Sequence, residues 1–231
     1  MSFYSRFISI AVRAARQAKR GSYCSADWAR DSLAILERLE SVGLDVTVEG
    51  IDILRRMSSP CVFVANHMST LETMILPGIV QPLMEVTFVV KESLVKYPFF
   101  RHVMGSRDPI LVGRVNPRED LRAVLEKGSE KIRGGSSIII FPQTTRSAGL
   151  DPEAFNSIGV KLAKRARAPL VPIALKTDAW KQGWFVKEFG RVDPARRVWF
   201  SFGEPMTIRG GGRKQHEKVV EYITGKLNEW S

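Results

Sequence analysis

The chain has 231 residues, 44% of them hydrophobic and 26% charged, an ordinary globular composition with enough apolar material for one sizeable core. Cys24 and Cys61 are too few and too scattered for a disulfide framework or a metal site, which indicates a reducing compartment, and the surroundings of His67, His102 and His216 give no expectation of a metal. The net charge of +11 is the outlier; without zinc-finger spacing, an aromatic RNA-binding signature or an isolated basic tail, it points to anionic surfaces and acidic partners rather than to nucleic acid.

Residues 1–26 hold five cations (Arg6, Arg13, Arg16, Lys19, Arg20) and no acid, interleaved with Phe3, Tyr4, Phe7, Ile8, Ile10 and Val12. A cationic, amphipathic N-terminal helix is the profile of a segment lying in a membrane interface. A solvated basic helix packed on the domain, or an Arg- and Ser-rich presequence, gives the same pattern. No apolar stretch approaches the roughly 18 residues of a spanning helix, so the chain is expected to lie on a bilayer rather than cross it. A second helix is predicted from Ser25 or Asp27 to about Val42, stopped by Gly43, with Leu44 folding back onto Leu39. Residues 1–44 thus read as a membrane-interfacial helical pair, and an α/β domain follows over 45–231.

In that domain Val46-Thr47-Val48 alternates as a strand, and 60–65 is an unbroken apolar run, read as a buried strand ending at Asn66. Residues 71–76 read as a short helix stopped at Pro77-Gly78. Strands follow at 86–90, ending at Lys91, and at 110–112, leading into Gly113-Arg114, with a short helix over 97–104 entered through Pro98. A charged amphipathic helix spans 118–133, closed by Gly134-Gly135, and 136–141 is the next strand. The remaining elements are a helix over 155–167, a strand over 170–175 that Pro172 places at an edge or bulge, a strand over 198–202 and a helix over 214–230. Strands alternating with helices predict a mixed, largely parallel sheet flanked by helices. Trp180, Trp184, Phe185 and Phe189 form an aromatic-rich segment for which core packing is expected rather than a chain pocket.

Two strand exits carry chemistry. His67 follows the 60–65 strand and Glu72 opens the next helix. On one continuous helix a five-residue offset turns roughly 500°, onto different faces. The pair works when the imidazole lies in the turn before the helix and the carboxylate reaches back to it. That is a base with an orienting acid and no protein nucleophile, suited to activating a substrate hydroxyl. The second exit is Phe141-Pro142-Gln143-Thr144-Thr145-Arg146-Ser147, a polar loop with a fixed cation for an anion. Sites of parallel α/β sheets collect at the carboxyl ends of strands, so the two exits are expected to meet.

These blocks resemble the 1-acylglycerol-3-phosphate acyltransferase (lysophosphatidate acyltransferase) family of the glycerolipid acyltransferase superfamily. Its Asn-His, four residues, Asp block is similar to Asn66-His67, four residues, Glu72. Its Lys and apolar-Arg elements look like Lys91-Glu92 and Ile110-Leu111-Val112-Gly113-Arg114. Its Phe-Pro-Glu-Gly-Thr-Arg-Ser block resembles residues 141–147, and its apolar-Pro-apolar strand resembles Val171-Pro172-Ile173. The blocks keep their order over about 28–205.

The resemblance implies an acyltransferase domain at 45–231 that needs no cofactor. It would work peripherally on the cytoplasmic face of a membrane, with acyl-CoA or acyl-carrier protein as donor and a lysolipid as acceptor. The anionic membrane surface would be met through the N-terminal helices. His67 would be the general base, Glu72 its orienting acid, and Lys91, Arg114, Gln143, Thr144, Thr145 and Arg146 would bind the acceptor, the cations gripping its phosphate. Three departures qualify this. Glu72 replaces Asp and lengthens the arm by one methylene. Gln143 replaces Glu, removing a charge and offering an amide donor, and Thr144 replaces Gly, closing an easy route to positive φ. They leave the acceptor open among lysolipids. A non-catalytic lipid-binding protein of the same fold, and an acyltransferase of the lipid A type, stand as alternatives.

Overall fold

The computed structural model describes residues 3–96, 101–143, 145–184 and 189–231. The chain opens with helices α1 (Phe3–Lys19) and α2 (Ser25–Glu40), then strand β1 (Val46–Glu49) and the short α3 (Ile51–Arg55). Next come β2 (Val62–Ala65), α4 (Leu71–Val80), β3 (Val86–Lys91), α5 (Glu92–Lys96), α6 (Arg101–Ser106) and β4 (Ile110–Val112). The second half runs α7 (Pro117–Arg133), β5 (Ser137–Ile140), α8 (Ile158–Ala166), β6 (Leu170–Lys176), β7 (Val198–Phe202) and α9 (Arg213–Glu229). The short α3 and α5 were not expected from the sequence. Of the helix expected over 97–104, residues 97–100 with Pro98 lie outside the described residues.

The strands form one sheet in the order β1-β7-β6-β2-β5-β3-β4. From β6 to β4 all pairings are parallel; β7 runs antiparallel to β6, and β1 parallel to β7. This is the mixed, largely parallel sheet that the alternation of elements predicts. Helices cover both faces, which is why β2, β5 and β6 are continuous apolar runs rather than alternating ones. Phe63, Ala65, Ile139 and Val171 enter a core shared with α1, α2 and α4, whereas Val62, Val64, Ile138 and Ile140 enter a second core with α7, α8 and α9.

Two prolines show how the fold accommodates a missing N–H donor. Pro77 does not end its helix: α4 continues to Val80. A proline inside a helix displaces local backbone bonds, and Ser32 of α2 repairs the site. Its hydroxyl donates to the Met74 carbonyl at 2.5 Å and accepts from the Gly78 N–H at 2.7 Å, bridging the donor and acceptor of one helical turn. A Cβ on Gly78 would fall 2.9 Å from that hydroxyl oxygen, so glycine is what lets the two helices approach. Pro172, expected at an edge or bulge, lies in the interior of the sheet, paired with Val64 of β2, and beside a one-residue bulge: β6 pairs Ile173 with Phe202 and then, one residue out of register, Leu170 with Met206. Its carbonyl accepts from Gly203 N–H at 2.9 Å, one residue past the end of β7, so its ring nitrogen faces the same side, at the bulge that interrupts the regular antiparallel pairing. A Cβ on Gly203 would meet the Pro172 ring at 2.7 Å.

The N-terminal helices pack on the first core. Leu44 follows Gly43 (φ 94°) and its N–H bonds to the Leu39 carbonyl at 3.1 Å, the fold-back expected at this helix end. Phe3 and Phe7 are buried against Trp180, with Phe189 also on Phe7, so these aromatics are core. Trp184 is exposed, and Phe185 lies outside the described residues. Arg13 of α1 reaches the buried Asp31 of α2 at 2.6 Å. The outer side of α1 presents Arg6, Ile8, Val12, Arg16 and Arg20 and borders an open groove of about 600 Å³. Among the described residues no helix is long and apolar enough to cross a membrane.

Candidate active site

Because β6, β2, β5, β3 and β4 run in one direction, their carboxyl ends share an edge. Along it stand, in spatial order, Thr177, His67, Arg146, Lys91 and Arg114. The centre is the exit of β2. Asn66, almost fully buried, donates to the Leu175 carbonyl at 2.7 Å and accepts from the Leu175 N–H at 2.8 Å. Its amide thereby continues the pairing with β6 one residue beyond the strand and fixes where the next residue starts.

That next residue is His67, in the turn before α4, with Glu72 in the helix's first turn, the placement their spacing requires. Nδ1 lies 2.8 Å from Glu72 Oε1. The carboxylate assigns the proton to Nδ1 and leaves the lone pair on Nε2. The imidazole retains 18% of its side-chain exposure, and the carboxylate has none. Phe141 stacks on the ring with centroids 4.5 Å apart and planes inclined by 23°.

Glu72 is buried yet fully hydrogen-bonded. Oε1 also accepts from the N–H groups of Met68 (2.7 Å) and Ser69 (3.0 Å); Oε2 accepts from the Ser69 hydroxyl (3.0 Å) and the Thr177 hydroxyl. Burial by itself raises the carboxyl's pKa, but the His67, Thr177 and Ser69 bonds outweigh it and hold the group below its ordinary value. It is therefore an anion at neutral pH. Ser69 and Glu72 also brace the turn that enters α4: Ser69 Oγ accepts from Leu71 N–H at 3.0 Å while Glu72 reaches back to Ser69 N–H. The carboxylate that orients the base is also the one that braces this turn.

The 141–147 loop is joined to this turn. Gln143, buried, accepts the His67 N–H on its side-chain oxygen at 2.6 Å, and Ser147 N–H donates to the His67 carbonyl at 2.9 Å. The atom of Gln143 turned to His67 is its acceptor oxygen, a contact that a glutamate would equally supply. Arg146 Nη1 donates to Thr70 Oγ1 at 2.7 Å, so the guanidinium stands beside the turn that carries the imidazole. Thr145 is exposed on the same loop, and Thr144 lies outside the described residues.

Lys91 is exposed at the end of β3. Arg114 is exposed after β4 with a left-handed backbone (φ 59°); its N–H and that of Gly113 both bond to the Asp120 carboxylate at 2.8 Å. The structure thus brings His67, Glu72 and Gln143 into contact, places Arg146 beside them through Thr70, and sets Lys91 and Arg114 further along the same edge. The sequence reading missed Asn66, Ser69, Thr70 and Thr177 as parts of the site. The Ser69-x-x-Glu72 pattern was available as a signal; nothing in the spacing pointed to Thr177.

Residues 45–176 match the acyltransferase family model. A 1-acyl-sn-glycerol-3-phosphate acyltransferase from Pseudomonas aeruginosa is 32% identical over 144 residues, covering 62% of this chain and 54% of that protein. The Saccharomyces cerevisiae enzyme of the same name is 31% identical over 141 residues, covering 60% and 45%. The chain therefore spans about half the length of the curated relatives it matches. The crystal structure of the 1-acyl-sn-glycerophosphate (LPA) acyltransferase PlsC from Thermotoga maritima superposes with a TM-score of 0.68 over 99% of this chain and 88% of that one, at 21% identity, a likeness of fold. With the family match covering more than half of its residues, the chain belongs to the acyltransferase family.

Proposed function

We propose that this protein transfers a fatty acyl group from an acyl thioester, acyl-CoA or acyl-carrier protein, to the free hydroxyl of a lysophospholipid at a membrane surface. The acceptor is 1-acylglycerol-3-phosphate, the class named by its relatives, or a related lysolipid. The observation that carries the reading is the His67–Glu72 pair, a partly open imidazole whose Nδ1 is bonded to a buried, fully bonded carboxylate, which leaves the lone pair on the outer nitrogen.

In this mechanism Nε2 of His67 takes the hydroxyl proton as the acceptor oxygen attacks the thioester carbonyl. Glu72 stabilises the imidazolium that forms. Collapse of the tetrahedral adduct breaks the carbon–sulfur bond, and the imidazolium returns its proton to the departing thiolate, so the base is regenerated and no cofactor takes part. Arg146, with Lys91 and Arg114 further along the edge, holds the acceptor's phosphate, Arg146 offering a planar fork to its oxygens. Gln143 and Thr145 contribute by shaping the loop that presents Arg146.

The membrane side of the proposal rests on α1. Its inner face is packed on aromatic core, which leaves arginines beside Ile8 and Val12 outward, a surface fitted to anionic headgroups and the upper acyl region. The protein then works peripherally, on the cytoplasmic face. The test is acyl transfer by the purified protein across a panel of lysolipids with acyl-CoA and acyl-carrier protein as donors. Transfer to a phosphate-bearing lysolipid that is lost in His67→Ala is expected; no transfer in any combination, or full activity in His67→Ala, overturns the proposal.

A further inference from the structure

A carboxylate that orients a base must be anchored to something that does not move with the base. Most of what holds Glu72 fails this condition: His67, Met68 and Ser69 belong to the same short turn as the carboxylate. Thr177 does not. It follows β6, a separate strand, is fully buried, and its hydroxyl donates to Oε2, the carboxylate oxygen that His67 does not use. Two residues earlier, Leu175 is locked to Asn66 through both backbone groups, so the β6 exit is registered against the β2 exit directly before the threonine.

We propose that Thr177 is a positioning residue of the reaction. Its hydroxyl ties Glu72 to β6 and so holds the His67 ring in the Nδ1–H tautomer that exposes a basic Nε2. The inference rests on the reading of His67 as the base and goes beyond it by assigning a role to a strand end more than 100 residues away in sequence. The hydroxyl hydrogen has one place to go: Thr177 must donate, since an ionised carboxylate only accepts. The charged surroundings are few. Among the described residues His67 is the titratable group bonded to Glu72, Arg146 is a further step away through Thr70, Asp178 beside Thr177 is turned to Arg196, and on α2 Asp31 is taken by Arg13.

The experiment compares Thr177→Val, which keeps the shape and removes the donor, with Thr177→Ser, which keeps the donor. Thr177→Val should lower kcat roughly tenfold at unchanged acceptor KM. It should also move the acid limb of the pH–rate profile upward, because Glu72 loses a bond that favours its charged form. Thr177→Ser should restore both. A Thr177→Val enzyme with unaltered kcat and acid limb overturns the proposal, as does one that only melts earlier. Nitrogen-15 NMR of the His67 ring supplies a readout that needs no turnover: one Nδ1–H tautomer in the wild type and a mixture in Thr177→Val. Retention of the single tautomer in the variant overturns the role even if no acyl transfer is found, whereas a lost tautomer with an inactive wild type faults the proposed activity alone. If Thr177→Val does not fold, Thr177→Cys, a weaker donor of similar size, should show the same changes in smaller measure.

Discussion

The exits of β2 and β6 and the exits of β3 and β4 lie on the same edge of the sheet but are held very differently. At the first pair, Asn66, Glu72 and Thr177 are buried and each is bonded to a neighbouring element. At the second, Lys91 and Arg114 are exposed long side chains at strand ends. Opposite charges 4 Å apart are worth about 1 kcal/mol in water and several times more where solvent is excluded. The buried end can therefore fix a proton's position, while the exposed end attracts an anion without dictating its shape. In the proposed mechanism the proton is handled at the buried end, and the exposed end adds attraction for the acceptor's anion.

Substitutions at the two ends should break this contrast by very different amounts. The largest effect is expected for His67→Ala, a fall in kcat of about 10² to 10⁴, with a lower melting temperature as well because the buried Glu72 loses a partner and Phe141 its stacked neighbour. Glu72→Gln should follow, with a loss of about 10² in kcat and a change in stability as well. The sign of that change is fixed by the lowered pKa of Glu72. Its contribution is present above the ordinary value of 4.5 and is lost as pH falls through the lower folded-state value, so denaturation midpoints measured downward from pH 7 should drop less steeply in Glu72→Gln. An equal acid-side slope in both proteins would contradict the buried anion.

Arg146→Ala should raise the KM for a phosphate-bearing lysolipid by about tenfold with a smaller effect on kcat, and Arg146→Lys should recover part of it. Lys91→Ala and Arg114→Ala should raise that KM only about two- to threefold and lose even this at high salt, where exposed charges are screened. If Lys91→Ala matched Arg146→Ala, the contrast between the two ends would fail. Smallest in activity, Arg16→Glu with Arg20→Glu should weaken sedimentation with anionic vesicles in a salt-dependent way, while transfer to a detergent-dispersed lysolipid stays as in the wild type.

The sheet and the dyad were legible because their signals are local. Unbroken apolar runs marked β2 and β5 as strands covered on both faces, and a histidine just before a helix whose first turn holds an acid has few geometries open to it. What was not legible depends on partners remote in the chain. Pro77 reads as a stop until Ser32 is seen bridging Met74 and Gly78, and Pro172 signals an edge or a bulge without saying which until Met206 is seen pairing with Leu170 one residue out of register. The bond from the His67 N–H to Gln143 was not legible either, because composition does not say which of its amide atoms faces the turn. Ser69 was legible and overlooked, because a carboxylate assigned to a base was not also considered as a brace for the helix entry.

The Ser32 bridge has a consequence for anyone seeking a minimal catalytic fragment. Cutting the chain at residue 45 would remove the hydroxyl that completes a turn of α4, at a cost on the order of 1–3 kcal/mol for polar groups left unmet, and would uncover the helix whose first turn supplies Glu72. Solubility tags and fusion partners are therefore better joined ahead of α1 than substituted for it and α2.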